Sequence, residues 1–146
     1  MSTYSFQDVT VTFAGPTGDV DLGYGAGNAK EGITVTRAGD KNTMTIGSDG
    51  EGMHSLHADK SGQITLRYLK TSPANAKLMV HYNLQQPTPT LWGKNVIVVR
   101  MPGVGDIHTA RQCAFKKVPD MAYAEDGDIL EWVFDVIKLD SLLGKY

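Results

Sequence analysis

Two-residue alternation is the feature that most limits what this chain can fold into. Across residues 128–139, Leu130, Trp132, Phe134 and Val136 fall on one side, and Glu131, Val133 and Asp135 on the other. Across residues 63–69, Ile64, Leu66 and Tyr68 alternate with Gln63, Thr65 and Arg67. Across residues 5–13, Gln7, Val9, Val11 and Phe13 alternate with Asp8, Thr10 and Thr12. Successive side chains of a strand point to opposite faces, so each stretch reads as a strand with one apolar face and one wet face.

Other stretches extend this reading. Residues 95–101 are rich in Val and Ile, and residues 107–117 form another strand candidate. Residues 33–37 and 43–46 flank a turn-like Ala38-Gly39-Asp40-Lys41-Asn42, so these two strands are expected to pair as a hairpin. Short strands are expected at 20–24 and 53–58. Gly15-Pro16-Thr17-Gly18 reads as a turn. Residues 19–32 hold four of the 16 glycines and no sustained period, so they read as a long loop. Residues 47–52 form a second flexible stretch.

One helix stands out, over about residues 73–85. Ser72 suits an N-cap and Pro73 the first helical position. Ala74, Leu78 and Tyr82, with Met79 beside them, make an apolar stripe. Pro87 and Pro89 end it. Strands on both sides of a single helix do not alternate as in a parallel α/β sheet. The expected fold is mainly β, an antiparallel sandwich or barrel-like subunit with one flanking helix, in a single domain over residues 1–146.

Composition narrows the function. The net charge is −2, with no overall basic signature for nucleic-acid binding. The charge is uneven: residues 1–62 carry 8 acids and 4 bases, residues 63–146 carry 8 acids and 10 bases. A single Cys, Cys113, excludes an intrachain disulfide framework. The first residues lack a signal-peptide pattern, and no apolar run is long enough for a membrane helix. A soluble protein made in a reducing cytoplasm is expected, without membrane insertion.

Catalytic and metal signatures are weak. His54 and His57 form H-x-x-H, but on a strand that spacing sends the rings to opposite faces, and no third ligand is near. His81 and His108 read as solvated or core-edge residues. Gly23-Tyr24-Gly25-Ala26-Gly27 lacks the G-x-G-x-x-G spacing of a dinucleotide loop. The run from Asp40 starts like a calcium loop and then fails it. Cys113 reads as a small packed residue, and Glu125, Asp126 and Asp128 as a solvated acidic turn. No enzyme, metal or cofactor is expected. Amphipathic strands with few edge-protecting devices must close, be covered or pair, and the long loops suit ordering by a partner, so self-assembly is expected.

The run GDKNTMTIGSDGEGMHSLHADKSGQITLRYLKTSPANAKL (residues 39–78) resembles the tail tube proteins of contractile-tailed bacteriophages. So do YSFQDVTVTFAGPTGDVDLGYGAG (residues 4–27), WGKNVIVVR, HTARQCAFKKVPD and ILEWVFDVIKLD, which carry the likeness along nearly the whole chain. Tubes of phage-derived injection systems are similar.

The resemblance implies a subunit that forms hexameric rings, stacked into a hollow tube inside a contractile sheath. DNA would pass through the lumen, which tape-measure protein fills beforehand. Further implied partners are sheath, baseplate and tail-terminator proteins. The implied location is the virion, and the host cytoplasm before assembly. On this reading Asp8, Thr10, Thr12, Gln63, Thr65, Glu131 and Asp135 face the lumen. Arg67 fits that wall only if an acid on an adjacent strand pairs with it. Asp40, Lys41, Asn42, Ser48, Asp49 and Glu51 belong to a segment, residues 38–52, that reaches the neighbouring ring. Leu66, Tyr68, Trp132 and Phe134 build the core, and the helix covers it with Leu78, Met79 and Tyr82. A small β-sandwich binding module, for example for carbohydrate, is the alternative class; it would stay discrete at high concentration.

Overall fold

The computed structural model describes residues 3–5, 8–22 and 28–145. Nine strands and one helix follow in the order β1 (Thr10–Gly15), β2 (Gly18–Asp21), β3 (Asn28–Arg37), β4 (Asn42–Ile46), β5 (Gly52–Leu56), β6 (Gly62–Leu69), α1 (Pro73–Gln85), β7 (Asn95–Met101), β8 (Asp106–Lys117) and β9 (Ile129–Leu142). Seven strands form one antiparallel sheet in the order β2-β1-β7-β8-β9-β6-β3, and β4 and β5 form a separate pair. The fold is mainly β with one helix, as the alternating pattern requires.

Three readings of the sequence change. The strands at 33–37 and 43–46 do not pair with each other. β3 pairs with β6 (Val35 opposite Ile64), and β4 pairs with β5 (Met44 opposite His54). Sequence proximity favoured the short turn, but Ile33 and Val35 have an apolar row to join on β6, whereas β4 has exposed residues only. Residues 28–32 belong to β3 rather than to a loop. The first strand starts at Thr10, with Asp8 in a 3₁₀ turn whose amide donates to Ser5 O at 3.2 Å. Gln7 and the glycine run 23–27 lie outside the described residues.

The sheet rolls around one apolar core. Val11 and Phe13 of β1, Ile64, Leu66 and Tyr68 of β6, Ile97 and Val99 of β7, Phe115 of β8, and Trp132 and Phe134 of β9 cluster there. Phe13 and Phe134 stand three strands apart in the sheet, yet their rings are 5.9 Å apart. The buried Tyr68 hydroxyl donates to Leu22 O at 2.8 Å, joining β6 to the residue after β2. Fully burying a large apolar side chain is worth about 1.5–3 kcal/mol, so this cluster dominates stability.

α1 packs on the same core. Ser72 caps it, its Oγ accepting from the Ala74 amide at 3.3 Å, and Pro73 follows. Ala74, Leu78, His81 and Gln85 are buried at spacings of four, three and four, while Met79 and Tyr82 are half-buried beside them. Trp132 Nε1 donates to Asn75 Oδ1 at 3.0 Å, fastening the helix to β9. The apolar stripe is thus present, but two of its four buried positions are polar.

Candidate functional site

The sheet is open. Among the described residues, β2 and β3 end the strand order, each with a partner on one side only. An edge of this kind leaves a row of amides and carbonyls for another chain.

The outer face of β6 and β9 carries a polar patch beside exposed Leu69, Ile129 and Ile137, and the register explains how. Gln63 stands opposite Asp135, Thr65 opposite Val133, and Arg67 opposite Glu131. Gln63 Nε2 donates to Asp135 Oδ1 at 3.1 Å, and Arg67 lies 3.4 Å from Glu131. Arg67 also donates to Thr34 Oγ1 of β3 at 2.8 Å. The fold thus brings Gln63, Thr65, Glu131 and Asp135 into one patch and pairs the lone cation among them. It does not bring the third row there. Thr10 and Thr12 lie opposite Arg100 and Val98 on β7, with β7 and β8 between them and the patch, and Asp8 precedes β1.

The β4–β5 hairpin stands apart from the main sheet. All its strand residues are exposed except Ser55, which is partly buried. Asp40 and Lys41 lie at its base, Asn42 opens β4, and Ser48, Asp49 and Glu51 form its tip, where Asp49 Oδ1 accepts from the Glu51 amide at 3.1 Å. Sequence reading placed these polar residues and missed the apolar ones between them. Met44, Ile46 and Leu56 share one face, and all are exposed. The alternation Thr43-Met44-Thr45-Ile46 was the available signal.

The histidines do not gather. His54 Nδ1 is 3.1 Å from Asn42 Nδ2, and His57 Nε2 is 2.6 Å from Thr43 Oγ1. His108 contacts Ser141 Oγ at 2.8 Å. Among the described residues no three His, Cys, Asp or Glu side chains cluster as metal ligands. Cys113 is buried, and burial pushes its thiol up to about 12, which leaves it an inert packing residue. No helix among the described residues is long and apolar enough to cross a membrane.

A buried polar cluster was not read from sequence. Gln85 Nε2 donates to Asn95 Oδ1 at 2.8 Å and to Thr17 Oγ1 at 3.1 Å. Asn95 Nδ2 donates to Gln85 Oε1 at 2.8 Å and to Cys113 O at 3.2 Å. Thr17 Oγ1 lies 2.5 Å from His81 Nδ1. With each amide hydrogen assigned, the hydroxyl hydrogen of Thr17 is free to bond His81 Nδ1, which suits a neutral ring protonated at Nε2. Burial lowers the His81 pKa, with Asp19 acting in the opposite sense. The cluster ties the end of α1 to the β1–β2 turn and the start of β7; it is a structural joint.

The family profile described as bacteriophage PhiTE tail tube protein matches residues 1–144. No curated protein matches the chain in sequence. Solved structures share its fold, among them the following three. A chain of the sheath/tube terminator of the extracellular contractile injection system PVC, in the extended state, is 12% identical with a TM-score of 0.64, over 97% of this chain and 98% of that one. A chain of the anti-feeding prophage baseplate is 12% identical with a TM-score of 0.64, over 100% of both chains. A chain of the PVC sheath–tube complex is 12% identical with a TM-score of 0.60, over 97% and 92%.

Proposed function

We infer, for a chain that belongs to the bacteriophage PhiTE tail tube family and so serves as a structural component of a phage tail tube, that six copies close into a ring and that rings stack into the tube. The observation that carries this reading is the strand order: among the described residues β2 and β3 stand at the two ends of one seven-stranded sheet. Edge-to-edge pairing around a ring satisfies both at once, because a heterologous contact that repeats by rotation closes on itself. The chain then acts as a building block and wall, without catalysis.

The β6–β9 patch supplies a suitable lining. Each phosphate gripped by Lys or Arg releases counterions and adds affinity, and affinity slows a moving polyanion. Here Glu131 and Asp135 are carboxylates, Gln63 and Thr65 are neutral, and Arg67 is engaged by Glu131 and Thr34. Such a wall is wetted without gripping DNA. Asp8, Thr10 and Thr12 complete the lining only where ring closure brings β1 of one copy toward the lumen. The tube's partners on this reading are the sheath outside, tape-measure protein and later DNA inside, and baseplate and terminator proteins at its ends. Its place is the virion, after a period in the host cytoplasm.

Negative-stain and cryo-electron microscopy of the purified chain at rising concentration tests this. Hexameric rings or tubes with β2 of one copy beside β3 of the next are expected. Discrete monomers in the presence of a tail initiation complex would overturn it.

A further inference from the structure

We propose that the buried joint of Thr17, His81, Gln85 and Asn95 positions the end strand β2 for pairing with the next copy, and that protonating His81 releases that strand while the core stays folded. The assembly half of this proposal rests on the ring reading.

The two end strands of the sheet are unequal. β3 runs for ten residues and sets Ile33 and Val35 against the core. β2 runs for four, Gly18–Asp21, of which Val20 is half-buried and the other three are exposed. It pairs with β1 from Gly18 opposite Gly15 to Asp21 opposite Thr12. So short a strand gains little from burial, and its position depends on what grips its ends.

At the far end, the Tyr68 hydroxyl donates to Leu22 O at 2.8 Å, and the Leu22 amide donates to Val11 O at 2.8 Å. At the near end the grip is Thr17, next to Gly18. Its Oγ1 accepts from Gln85 Nε2 at 3.1 Å and lies 2.5 Å from His81 Nδ1. Gly18 itself lies against the imidazole, since a Cβ there would stand 3.7 Å from His81 Cε1. Gln85 is fixed in turn by Asn95, the first residue of β7. The start of β2 is therefore tied to α1 and β7, two elements outside its own hairpin.

His81 decides whether that tie holds. The neutral ring accepts the Thr17 hydroxyl hydrogen at Nδ1. A proton on Nδ1 turns the acceptor into a second donor, and the hydroxyl must turn away. The residue is 6% exposed, with its ring centre 5.2 Å from that of Phe13, so an imidazolium is poorly solvated where it stands. Phe13, Thr17 and Gly18 carry no charge. Asp19 of β2 acts on the ring and favours the proton, and on α1 itself Lys77 stands one turn earlier. Burial outweighs Asp19, so the proton favours the form in which Thr17 and the ring have parted.

The joined form binds fewer protons than the parted one. The joint is complete above about pH 6.5, the ordinary value, and weakens as pH falls below it. One unit lower, parting is favoured by up to about tenfold. Pairing with another chain needs a row of amides and carbonyls held in place. A strand loose at one end must be ordered again at each contact, which weakens the contact.

The parent chain, His81→Gln, Thr17→Val and Thr17→Ser test this at pH 7.5 and pH 5.5. Hydrogen exchange of the unassembled chains, corrected for the intrinsic rate, reads residues 15–22 against residues 95–101 of β7. Protection of 15–22 should fall by up to about tenfold at the lower pH in the parent and in Thr17→Ser, and not in His81→Gln. In Thr17→Val it should be low at both, with β7 protected throughout. Constant protection in the parent, an equal fall in His81→Gln, or an equal fall in β7 overturns the joint as the anchor of β2. Pelleting and negative stain then read assembly. The concentration needed for tubes should rise by the same factor at pH 5.5 in the parent and in Thr17→Ser, stay constant in His81→Gln, and be raised at both pH values in Thr17→Val. Tubes at an unchanged concentration while 15–22 loses protection overturn the role in assembly and leave the ring reading intact. No rings or tubes at either pH, with a tail initiation complex present, overturn the ring reading and the assembly role together, and the anchor then stands or falls on exchange alone.

Discussion

Gln85 and Asn95 are reciprocal hydrogen-bond partners, each amide nitrogen donating to the other's oxygen at 2.8 Å in a fully buried site. Removing one partner strands the other, at a cost of about 1–3 kcal/mol. Gln85→Leu and Asn95→Leu should each lower the stability of the unassembled chain by that order, Asn95→Leu more, because Cys113 O also loses its donor. The double variant should cost less than the sum, since each substitution has then removed the other's stranded group. Urea unfolding of the four chains measures this, and simple additivity would show that the pair is not coupled.

Gly15 lies against the same pair. A Cβ there would run into Asn95 Oδ1 and sit 3.5 Å from Gln85 Nε2. Gly15→Ala should therefore destabilise through the amide pair rather than through backbone conformation. The check is context: its cost should shrink when introduced together with Asn95→Ala, and an unchanged cost would place the clash elsewhere.

His81 makes the joint sensitive to acid. Its folded pKa is lowered, first by burial, below the ordinary 6.5 that holds in the unfolded chain. Between those two values the unfolded chain binds more protons, so stability is complete above about pH 6.5 and falls as pH drops through the folded pKa. The exposed Asp59 and Asp140 are also lowered, from an ordinary 3.8, so their loss comes in a separate, more acidic window. The urea midpoint should fall between pH 7 and pH 5 in the parent chain and much less in His81→Gln. Equal slopes in the two chains would remove His81 as the cause.

Gln112 has φ 56°, the only non-glycine residue with positive φ among those described. It sits where β8 changes which face it buries: Ala110 and Cys113 both point inward, and their partners on β9 are Leu139 and Val136. The left-handed region costs an ordinary residue about 1–2 kcal/mol, and the exposed Gln112 side chain has little packing to lose. Gln112→Gly should raise the thermal midpoint, and Gln112→Val should lower it. A rise with valine would contradict the conformational account.

What was legible in the sequence was what repeats. Leu66, Tyr68, Trp132 and Phe134 announce themselves by period two, Leu78 by period 3.6, and Ser72-Pro73 marks a helix start at the observed position. Strand pairing was less legible. The turn at 38–41 looks like a hairpin loop, yet β3 is drawn to β6 by Ile33 and Val35, a contact between residues some thirty apart. The Gln85–Asn95 joint was hidden because each residue is ordinary alone and only tertiary packing makes the pair. On the outer face, sequence separated polar from apolar, and register then decided that Gln63 meets Asp135 while Thr10 and Thr12 lie across the sheet.

The carboxylates of that outer face carry the last prediction. Glu131 is exposed and pairs with Arg67 at 3.4 Å, and exposed pairs contribute only about 0–1 kcal/mol. Asp135 accepts a single bond from Gln63. Glu131→Lys and Asp135→Lys should therefore fold and assemble normally. If these positions line the lumen, each ring gains two charge units per copy, and the added cations bind phosphate at a radius where screening over ~8 Å leaves the wall charge felt. Slower DNA release from assembled particles, with the slowing reduced at higher salt, is the expected outcome in a single-particle ejection assay. Release at the parental rate from particles carrying both substitutions would move the β6–β9 face out of the lumen and leave β1 as the wall.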